Sequence, residues 1–414
     1  ARPEDTEREI RLAVEFFRRL ARKQRGNFDP DLAELLERHS RVLDDLGRTN
    51  DALKHGEEAL SIRRNVIAQM PRSLNIISFL RSLHSLSDDL RDLDRLPEAL
   101  PVAEERVQIS REIAQSEPGV FASSLAESLC HLSYVLRDLG RYEDACMTVQ
   151  QAVAIQRGLA DADPSVMQDL AFSLHHVAFT LRDVGKSDDA LVPAQQAVNI
   201  RRRLAEEKPD KFSELFAHSL NGLSLALRAV GRHDDALDRA QEAITIQRNL
   251  VRRDPDQFKP ALAGLLNTGA YQLTIGGQLE EALCVIDEAV EIQREVIKSR
   301  PTSFHSVLAD ILDTRANVLC SLGRHEEGLQ AISEAENLNR TKSSEPTQLV
   351  RERSAVYLST RSRCLIGGGQ PSKALSAIGE ALKLYREVAE QTPAVISAVF
   401  SQSVDAISGC LLEL

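Results

Sequence analysis

The chain has 414 residues, of which 43% are hydrophobic and 27% charged, and it carries a net charge of -11. This is the composition of a soluble, well-packed protein, and the acidic balance argues against a general binder of nucleic acid or of anionic membranes. No segment is apolar over the length of a membrane span and the first residues lack a signal-peptide pattern, so we predict a cytoplasmic protein.

A nine-residue motif, first seen as DLGRTNDAL, returns eight times at intervals of 45 to 47 residues. A fixed interval of this size predicts a solenoid, in which each unit packs on its neighbours. Such a fold presents a long curved surface and no built-in cleft, so we expect a protein that is not an enzyme. The glycine slot of the motif holds, in chain order, Gly47, Asp94, Gly140, Gly185, Gly231, Gly277, Gly323 and Gly369.

Each copy of the motif opens a helix. After Gly47 come Ala52, Ala59 and Ile62, whose spacing puts two small residues and one aliphatic residue on one helical stripe. Pro71 ends this helix, and a second amphipathic pattern then runs to the next glycine slot. A glycine there caps the helix and makes a tight turn. We name the helix before each glycine helix A and the helix after it helix B.

These signals predict an all-α, right-handed α-solenoid of about eight antiparallel helix pairs with a half-unit at each end, counted as 17 helices. We expect a single array over residues 1–414, and because it begins and ends within the repeat pattern we expect it to be part of a longer protein. The predicted units are 26–71, 72–118, 119–164, 165–209, 210–255, 256–301, 302–346 and 347–393, with half-units 1–25 and 394–414.

The units resemble the tetratricopeptide repeat family. The resemblance rests on the small residue in helix A (Ser133 and Ala178, for example), the Gly-x-x-x-x-Ala turn, the second alanine seven residues later and the closing proline. The long units are similar to those of kinesin light chains and of sensor arms in fungal and bacterial signalling proteins. The resemblance implies that the A helices line a concave groove for a protein partner.

Arginine stands two residues after the aliphatic slot of helix B in every copy. Because terminal units carry it as central ones do, we expect a structural ladder of ion pairs rather than a ligand site. The expected partner is the acidic residue four positions after the glycine slot, such as Asp51 or Glu98. The arginines are Arg18, Arg64, Arg111, Arg157, Arg202, Arg248, Arg294, Arg340 and Arg386.

The resemblance places the inward-facing slots of helix A at 13, 10, 9, 6, 3 and 2 residues before the glycine. Three of these columns predict a peptide groove, because arginine binds carboxylates, aromatic rings supply burial and asparagine bonds a peptide backbone. The partner would be a peptide or protein with acidic and apolar residues. The alternative is that the arginine of each Arg-Asp pair only pairs locally and caps helix A. The candidate residues are Arg91, Arg137, Arg182, Arg228, Tyr134, Phe179, Tyr271, His84, His175, Asn221 and Asn267.

Neither a metal nor another cofactor is expected. The histidines of the A helices lie on different units, about 10 Å apart at helix-packing distances, and zinc needs its ligands together. The six cysteines form no Cys-x-x-Cys pair, so we expect reduced thiols. They are Cys130, Cys146, Cys284, Cys320, Cys364 and Cys410.

Three functions fit these patterns. The leading interpretation is a non-enzymatic scaffold that binds a peptide or protein in the groove of the A helices. A second is a sensor or regulatory arm of a larger signalling ATPase or protease, whose catalytic domain lies outside this chain. A third is a structural solenoid that stacks end to end through apolar residues of its last helix, such as Val399, Ile407 and Leu411.

Overall fold

A computed structural model describes residues 3–24, 27–70, 72–93, 95–160, 163–299, 305–339 and 348–391. These residues contain 17 α-helices and no strand, and none of the helices is long and apolar enough to cross a membrane. The helices are α1 (Pro3–Lys23), α2 (Asp29–Asp45), α3 (Thr49–Gln69), α4 (Ser73–Asp92), α5 (Leu96–Ser116), α6 (Pro118–Asp138), α7 (Tyr142–Ala160), α8 (Met167–Asp183), α9 (Ser187–Glu207), α10 (Pro209–Ala229), α11 (His233–Arg253), α12 (Pro255–Ile275), α13 (Leu279–Ser299), α14 (His305–Ser321), α15 (His325–Asn339), α16 (Gln348–Gly367) and α17 (Pro371–Gln391).

The predicted all-α solenoid architecture is confirmed. Helix α1 is the N-terminal half-unit, the even-numbered helices are the A helices, and the odd-numbered helices from α3 onward are their B partners. The predicted C-terminal half-unit, 394–414, would be an eighteenth helix, so the predicted count of 17 was one too low for eight pairs and two half-units. That half-unit lies outside the described residues, as do the stacking residues named above.

The chain divides into two compact units, residues 1–139 with α1 to α6 and residues 140–414 with α7 to α17. Within each unit a helix packs mainly on its neighbours in sequence, as a solenoid requires. The single array over 1–414 stays a prediction.

The glycine turns form as the sequence predicts. All seven glycines of the slot have a positive φ between 70° and 77°, a conformation that side chains with a Cβ rarely adopt. At the first turn, the Arg48 N–H donates to the Leu43 carbonyl at 2.8 Å and the Gly47 N–H to that of Asp44, which closes the helix end. Asp94, which fills the remaining slot, lies outside the described residues.

The alanine columns are the tightest part of the packing. Ala52, Ala99, Ala236 and the other alanines of the first column are 0% exposed, and so are those of the second column. A larger side chain in place of one of these alanines would have to displace its neighbours. Arg106, 3% exposed, takes the second-column position in the second unit. Gly328 takes the alanine position in the seventh unit.

The reason for that glycine is a disulfide. Cys320 of α14 and Cys364 of α16 are joined, with their Cα atoms 5.4 Å apart, so the expectation of reduced thiols was wrong for this pair. A Cβ on Gly328 would lie 2.6 Å from the Cys320 sulfur and 3.0 Å from the Cys364 sulfur. The bridge therefore occupies the space that an alanine methyl group fills in other units. Because disulfides are rare in reducing compartments, the cytoplasmic location stays a prediction.

The arginine ladder exists, but the expected partners were wrong. Six of the nine arginines reach the next B helix and pair with a side chain 39 to 41 residues later, as in Arg248–Glu288 at 2.6 Å, and Arg340 lies outside the described residues. The acid four residues after the glycine instead pairs within the turn, as Asp51 does with Arg48 at 2.9 Å. That arginine is three residues away on the same helical turn and is therefore closer. The other ladder contacts are Arg18–Glu58, Arg64–Glu105, Arg157–Gln196, Arg202–Glu242 and Arg294–Glu334.

The ladder is expected to contribute little stability. Arg248→Ala should lower the free energy of unfolding by no more than about 1 kcal/mol, because both partners are partly exposed to solvent. Urea unfolding followed by circular dichroism measures this change, with the exposed Arg203→Ala as the control. A loss above about 3 kcal/mol would show that the ladder is a main source of stability, against this account.

In the described part of residues 140–414, α7 contacts helices that are distant in sequence. The Tyr142 hydroxyl at the start of α7 donates to Glu352 of α16 at 3.3 Å, and its ring packs with Val184 and Val388. The first helix of this unit thus touches its last helix pair.

Candidate functional site

All eleven predicted groove residues lie on A helices and are half-buried. They divide between the two compact units. Residues 1–139 hold His84, Arg91, Tyr134 and Arg137, and residues 140–414 hold His175, Phe179, Arg182, Asn221, Arg228, Asn267 and Tyr271.

Arg91 is bound by two carboxylates that also lie within residues 1–139. It donates to Asp138 at 2.7 Å and to Asp88 at 2.8 Å, and its guanidinium carbon lies 5.9 Å from the centre of the Tyr134 ring. Asp138 belongs to the Arg-Asp pair of the following repeat, so the bond joins two repeats. This arrangement matches the alternative of structural pairing more closely than a cation reserved for a ligand.

The arginines of residues 140–414 lie over aromatic rings. The guanidinium carbon of Arg182 is 5.2 Å from the centre of the Phe179 ring, and that of Arg228 is 4.6 Å from the centre of the Tyr271 ring. Such contacts hold a cation in place without neutralising it. Burial lowers the pKa of Arg228, and its enclosed Nε makes no hydrogen bond with the described residues. Arg228 therefore retains hydrogen-bonding capacity for an anion.

The slot ten residues before the glycine forms a row of polar groups. Burial against Gly222 lowers the pKa of His175 to about 3, so its ring is neutral at pH 7. In the next three units the slot holds Asn221, Asn267 and Asp313, and the Oδ1 atom of each is enclosed and accepts no hydrogen bond from the described residues. These three oxygens can therefore accept hydrogen bonds from a ligand.

A cavity of about 240 Å³ opens between α12, α14 and α16. Every residue that lines it occupies one of the slots that the sequence assigned to the inward face of helix A. Tyr271 is the only predicted groove residue among them. The others could have been found by following the same slots into the last units. The lining residues are Tyr271, Thr274, Ile275, Asp313, Thr314, Asn317, Val356, Ser359, Thr360 and Arg363.

The cavity is lined by the buried carboxyl group of Asp313 and the exposed guanidinium of Arg363. Burial raises the pKa of Asp313 to about 7, because ionising an enclosed carboxyl is unfavourable. The Asn317 amide donates to Asp313 Oδ2 at 3.4 Å and to Thr360 at 3.2 Å, and Arg363 donates to Asn317 at 2.8 Å. Asp313 Oδ1 accepts no hydrogen bond from the described residues. The cavity therefore suits a ligand group that donates hydrogen bonds, above all a protonated amine.

A second cluster lies on α4 and α6. His131 Nε2 is 3.2 Å from one oxygen of Asp88, and His84 Nε2 is 3.5 Å from the other. The two imidazole rings are 4.3 Å apart between centres, so the expectation that histidines of different units stay apart was wrong here. The i, i+4 spacing of His84 and Asp88 was a signal in the sequence that our prediction overlooked.

Family models match parts of the chain. Two models describe tetratricopeptide repeats and cover residues 126–158, 171–210 and 216–256. A third describes anaphase-promoting complex subunit 5 and covers residues 252–304. No curated protein matches the sequence.

Several solved structures are similar. The apo form of RapI has a TM-score of 0.58 and 13% identity, over 94% of this chain and 99% of that one. The Rap conjugation gene regulator of the plasmid pLS20, in complex with the Phr* peptide, has a TM-score of 0.53 and 13% identity, over 88% and 98%. A putative kinesin light chain from P. anserina is 21% identical over 54% of this chain and 99% of that one, but its TM-score of 0.41 is too low to bear on the fold.

At these identities the similarity concerns the fold alone. The repeat-model matches agree with the glycine turns and the alanine columns, which recur from one end of the described chain to the other. The chain is a helical repeat protein that carries tetratricopeptide repeats over residues 126–158, 171–210 and 216–256.

Proposed function

We propose that this chain is a non-enzymatic scaffold that binds an extended peptide or protein segment on the A-helix face of residues 140–391. The observation that carries the proposal is the cavity at Asp313, where an enclosed carboxyl oxygen has no hydrogen-bond partner among the described residues. The pLS20 Rap regulator, which was solved with a peptide, supports the proposal only by showing that a protein of similar fold accommodates one.

The spacing of the charged groups defines the partner. Arg228 on α10 and Asp313 on α14 lie two units apart, which is about 20 Å at ordinary helix-packing distances. An extended peptide advances about 3.3 Å per residue, so about six residues span this distance. The expected segment carries an acidic residue for Arg228, an amine group about six residues away for Asp313, and apolar residues over Phe179 and Tyr271. Asn221 and Asn267 can bond its backbone.

A peptide library displayed on phage tests the proposal, because selection from it does not require a named partner. After selection on the full chain, synthetic copies of the enriched peptides are titrated by fluorescence polarisation. Asp313→Asn should weaken binding at least about tenfold, because a hydrogen bond to a charged group contributes roughly 1.5–3 kcal/mol. Arg228→Gln should act similarly on peptides with an acidic residue.

The matched control is Glu288→Gln, which removes a carboxylate from the B-helix ladder and should leave affinity unchanged. Equal affinity of the wild type, Asp313→Asn and Arg228→Gln for every selected peptide would exclude this face as the binding site. Arg91 is not included in the proposed site, because two carboxylates already bind it.

A further inference from the structure

The cluster of His84, Asp88 and His131 lies in residues 1–139, apart from the proposed peptide site. His84 and Asp88 are one turn apart on α4, and His131 comes from α6, the A helix of the next unit. One potential ligand atom from each residue lies within 4.8 Å of the other two. In the described part of the chain, this is the only group of three or more such residues.

The distances suit a metal ion. Four-coordinate zinc holds nitrogen and oxygen ligands at about 2.0–2.1 Å, which places neighbouring ligand atoms about 3.3 Å apart. His131 Nε2 lies 3.2 Å from Asp88 Oδ1 and His84 Nε2 lies 3.5 Å from Asp88 Oδ2, so each imidazole is close to that distance from a different oxygen of the same carboxylate. One ligand atom from each residue lies within 4.8 Å of the other two, so side-chain rotations that close this gap would bring the three groups around an ion.

The hydrogen-bonding groups of the cluster are not all paired with described residues. Both imidazoles direct Nε2 toward the same carboxylate, and the enclosed Nδ1 atom of each ring has no hydrogen-bond partner among the described residues. The His131 side chain is 4% exposed, so water does not readily compensate it. Two imidazole Nε2 atoms directed at the same carboxylate indicate a ligand that the three groups share.

The surrounding charges allow a divalent cation. Arg91 donates to Asp88 at 2.8 Å and orients the carboxylate, as outer-shell partners of metal ligands do. Asp138 balances Arg91, and Glu127 balances the nearby Arg106 through a contact of 2.7 Å. The negative charge of Asp88 is therefore left for the ion.

The repeat itself provides a comparison. The same three slots (ten and six residues before one glycine slot, and nine before the next) recur along the array, and the backbone does not require ligating residues in them. The corresponding sets elsewhere are Glu37, Arg41, Ser85; Cys130, Tyr134, His176; His175, Phe179, Gly222; Asn221, Leu225, Thr268; Asn267, Tyr271, Thr314; and Asp313, Asn317, Thr360.

We propose that His84, Asp88 and His131 bind a divalent transition-metal ion of the zinc type, which links α4 to α6. Two histidines and one carboxylate form a donor set that such ions favour. The side chains of His84 and Asp88 are 38% and 39% exposed, so at least one coordination position faces solvent. That position accepts water or a side chain of a bound partner.

Cobalt and zinc titrations of the tag-free, chelator-treated full chain test the proposal. Co²⁺ should give visible d–d absorption that saturates at one ion per chain, and Zn²⁺ should displace it. Zinc should also raise the midpoint of thermal unfolding, because an ion that binds only the folded state stabilises it.

Variants locate the site. His84→Asn and His131→Gln should each weaken cobalt binding at least about 100-fold, more than the loss of an outer-shell partner. His218→Ala, which removes an exposed histidine of α10, should bind cobalt as the wild type does. Circular dichroism shows which variants are folded, and the half-exposed His84 is the safer substitution. Absence of cobalt absorption in the wild type, or unchanged binding in folded His84→Asn, would overturn the proposal.

Discussion

Gly328→Ala is expected to destabilise the chain when the Cys320–Cys364 bridge is formed and to stabilise it when the bridge is absent. With the bridge formed, the new methyl group would meet both sulfurs at 2.6 and 3.0 Å. Overpacking of this kind lowers the free energy of unfolding by about 1–3 kcal/mol. Urea unfolding of the oxidised chain, followed by circular dichroism, measures the change.

Without the bridge, the same substitution should be favourable. Replacing both cysteines with alanine removes a cross-link over 44 residues, which lowers stability by about 4 kcal/mol in the chain-entropy view. In that background Gly328→Ala restores the residue of the other units and leaves one tight contact, 3.3 Å from the new Cβ to the Ala316 carbonyl oxygen. With a small shift there, it should stabilise α15 by about 0.5–1 kcal/mol, because alanine favours helix. Gly379→Ala in α17, where nothing lies within 4 Å of the added Cβ, is the control and should stabilise both backgrounds. An effect of Gly328→Ala with one sign in both would refute the assignment of that space to the bridge.

Asp313→Asn is expected to remove a pH dependence of stability between about pH 4 and pH 7. Burial raises the pKa of Asp313 in the folded chain to about 7, above the value of about 3.9 in an unfolded chain. Asp310 raises it further, and the Thr360 hydrogen bond and Arg363 oppose the shift. Over this range the folded state holds a proton that the unfolded state has released.

The sign follows from linkage. Because the folded state binds more protons there, stability falls as pH rises from about 4 to about 7 and then levels, by an amount on the order of a few kcal/mol. Asp313→Asn has no charge to bury, so it should be more stable than the wild type at pH 8 and nearly equal to it at pH 4. Asp256→Asn, on an exposed carboxylate, should follow the wild type. A wild-type pH profile that Asp313→Asn leaves unchanged from pH 4 to pH 8 would contradict this prediction.

The fold was predictable because local signals repeat. Gly47 and its counterparts lie at turns that need a positive φ, and Ala52 and its counterparts lie where two helices pack too closely for most larger side chains. The pattern of one unit therefore predicts the structure of the others. The partners of the arginine ladder were not predictable, because they depend on how one B helix stacks on the next. Gln247 shows the same limit, since its buried amide bonds the Phe258 carbonyl of the following A helix at 3.0 Å.

The site was predicted only in part. The residues that line the cavity all occupy inward slots that the sequence analysis assigned to helix A. The predicted groove followed the run of aromatic residues, however, and ended at Tyr271 without including Asp313. The disulfide was missed because Cys320 and Cys364 occupy different slots, three and five residues before their glycines. Only the packing of α14 against α16 brings these slots together.

The most direct test of binding on the A-helix face is hydrogen–deuterium exchange of the full chain with and without a selected peptide. Binding along the proposed surface predicts slower exchange in α8, α10, α12, α14 and α16 and unchanged exchange in α11 and α13. Protection confined to the B helices, or confined to residues 1–139, would contradict the account.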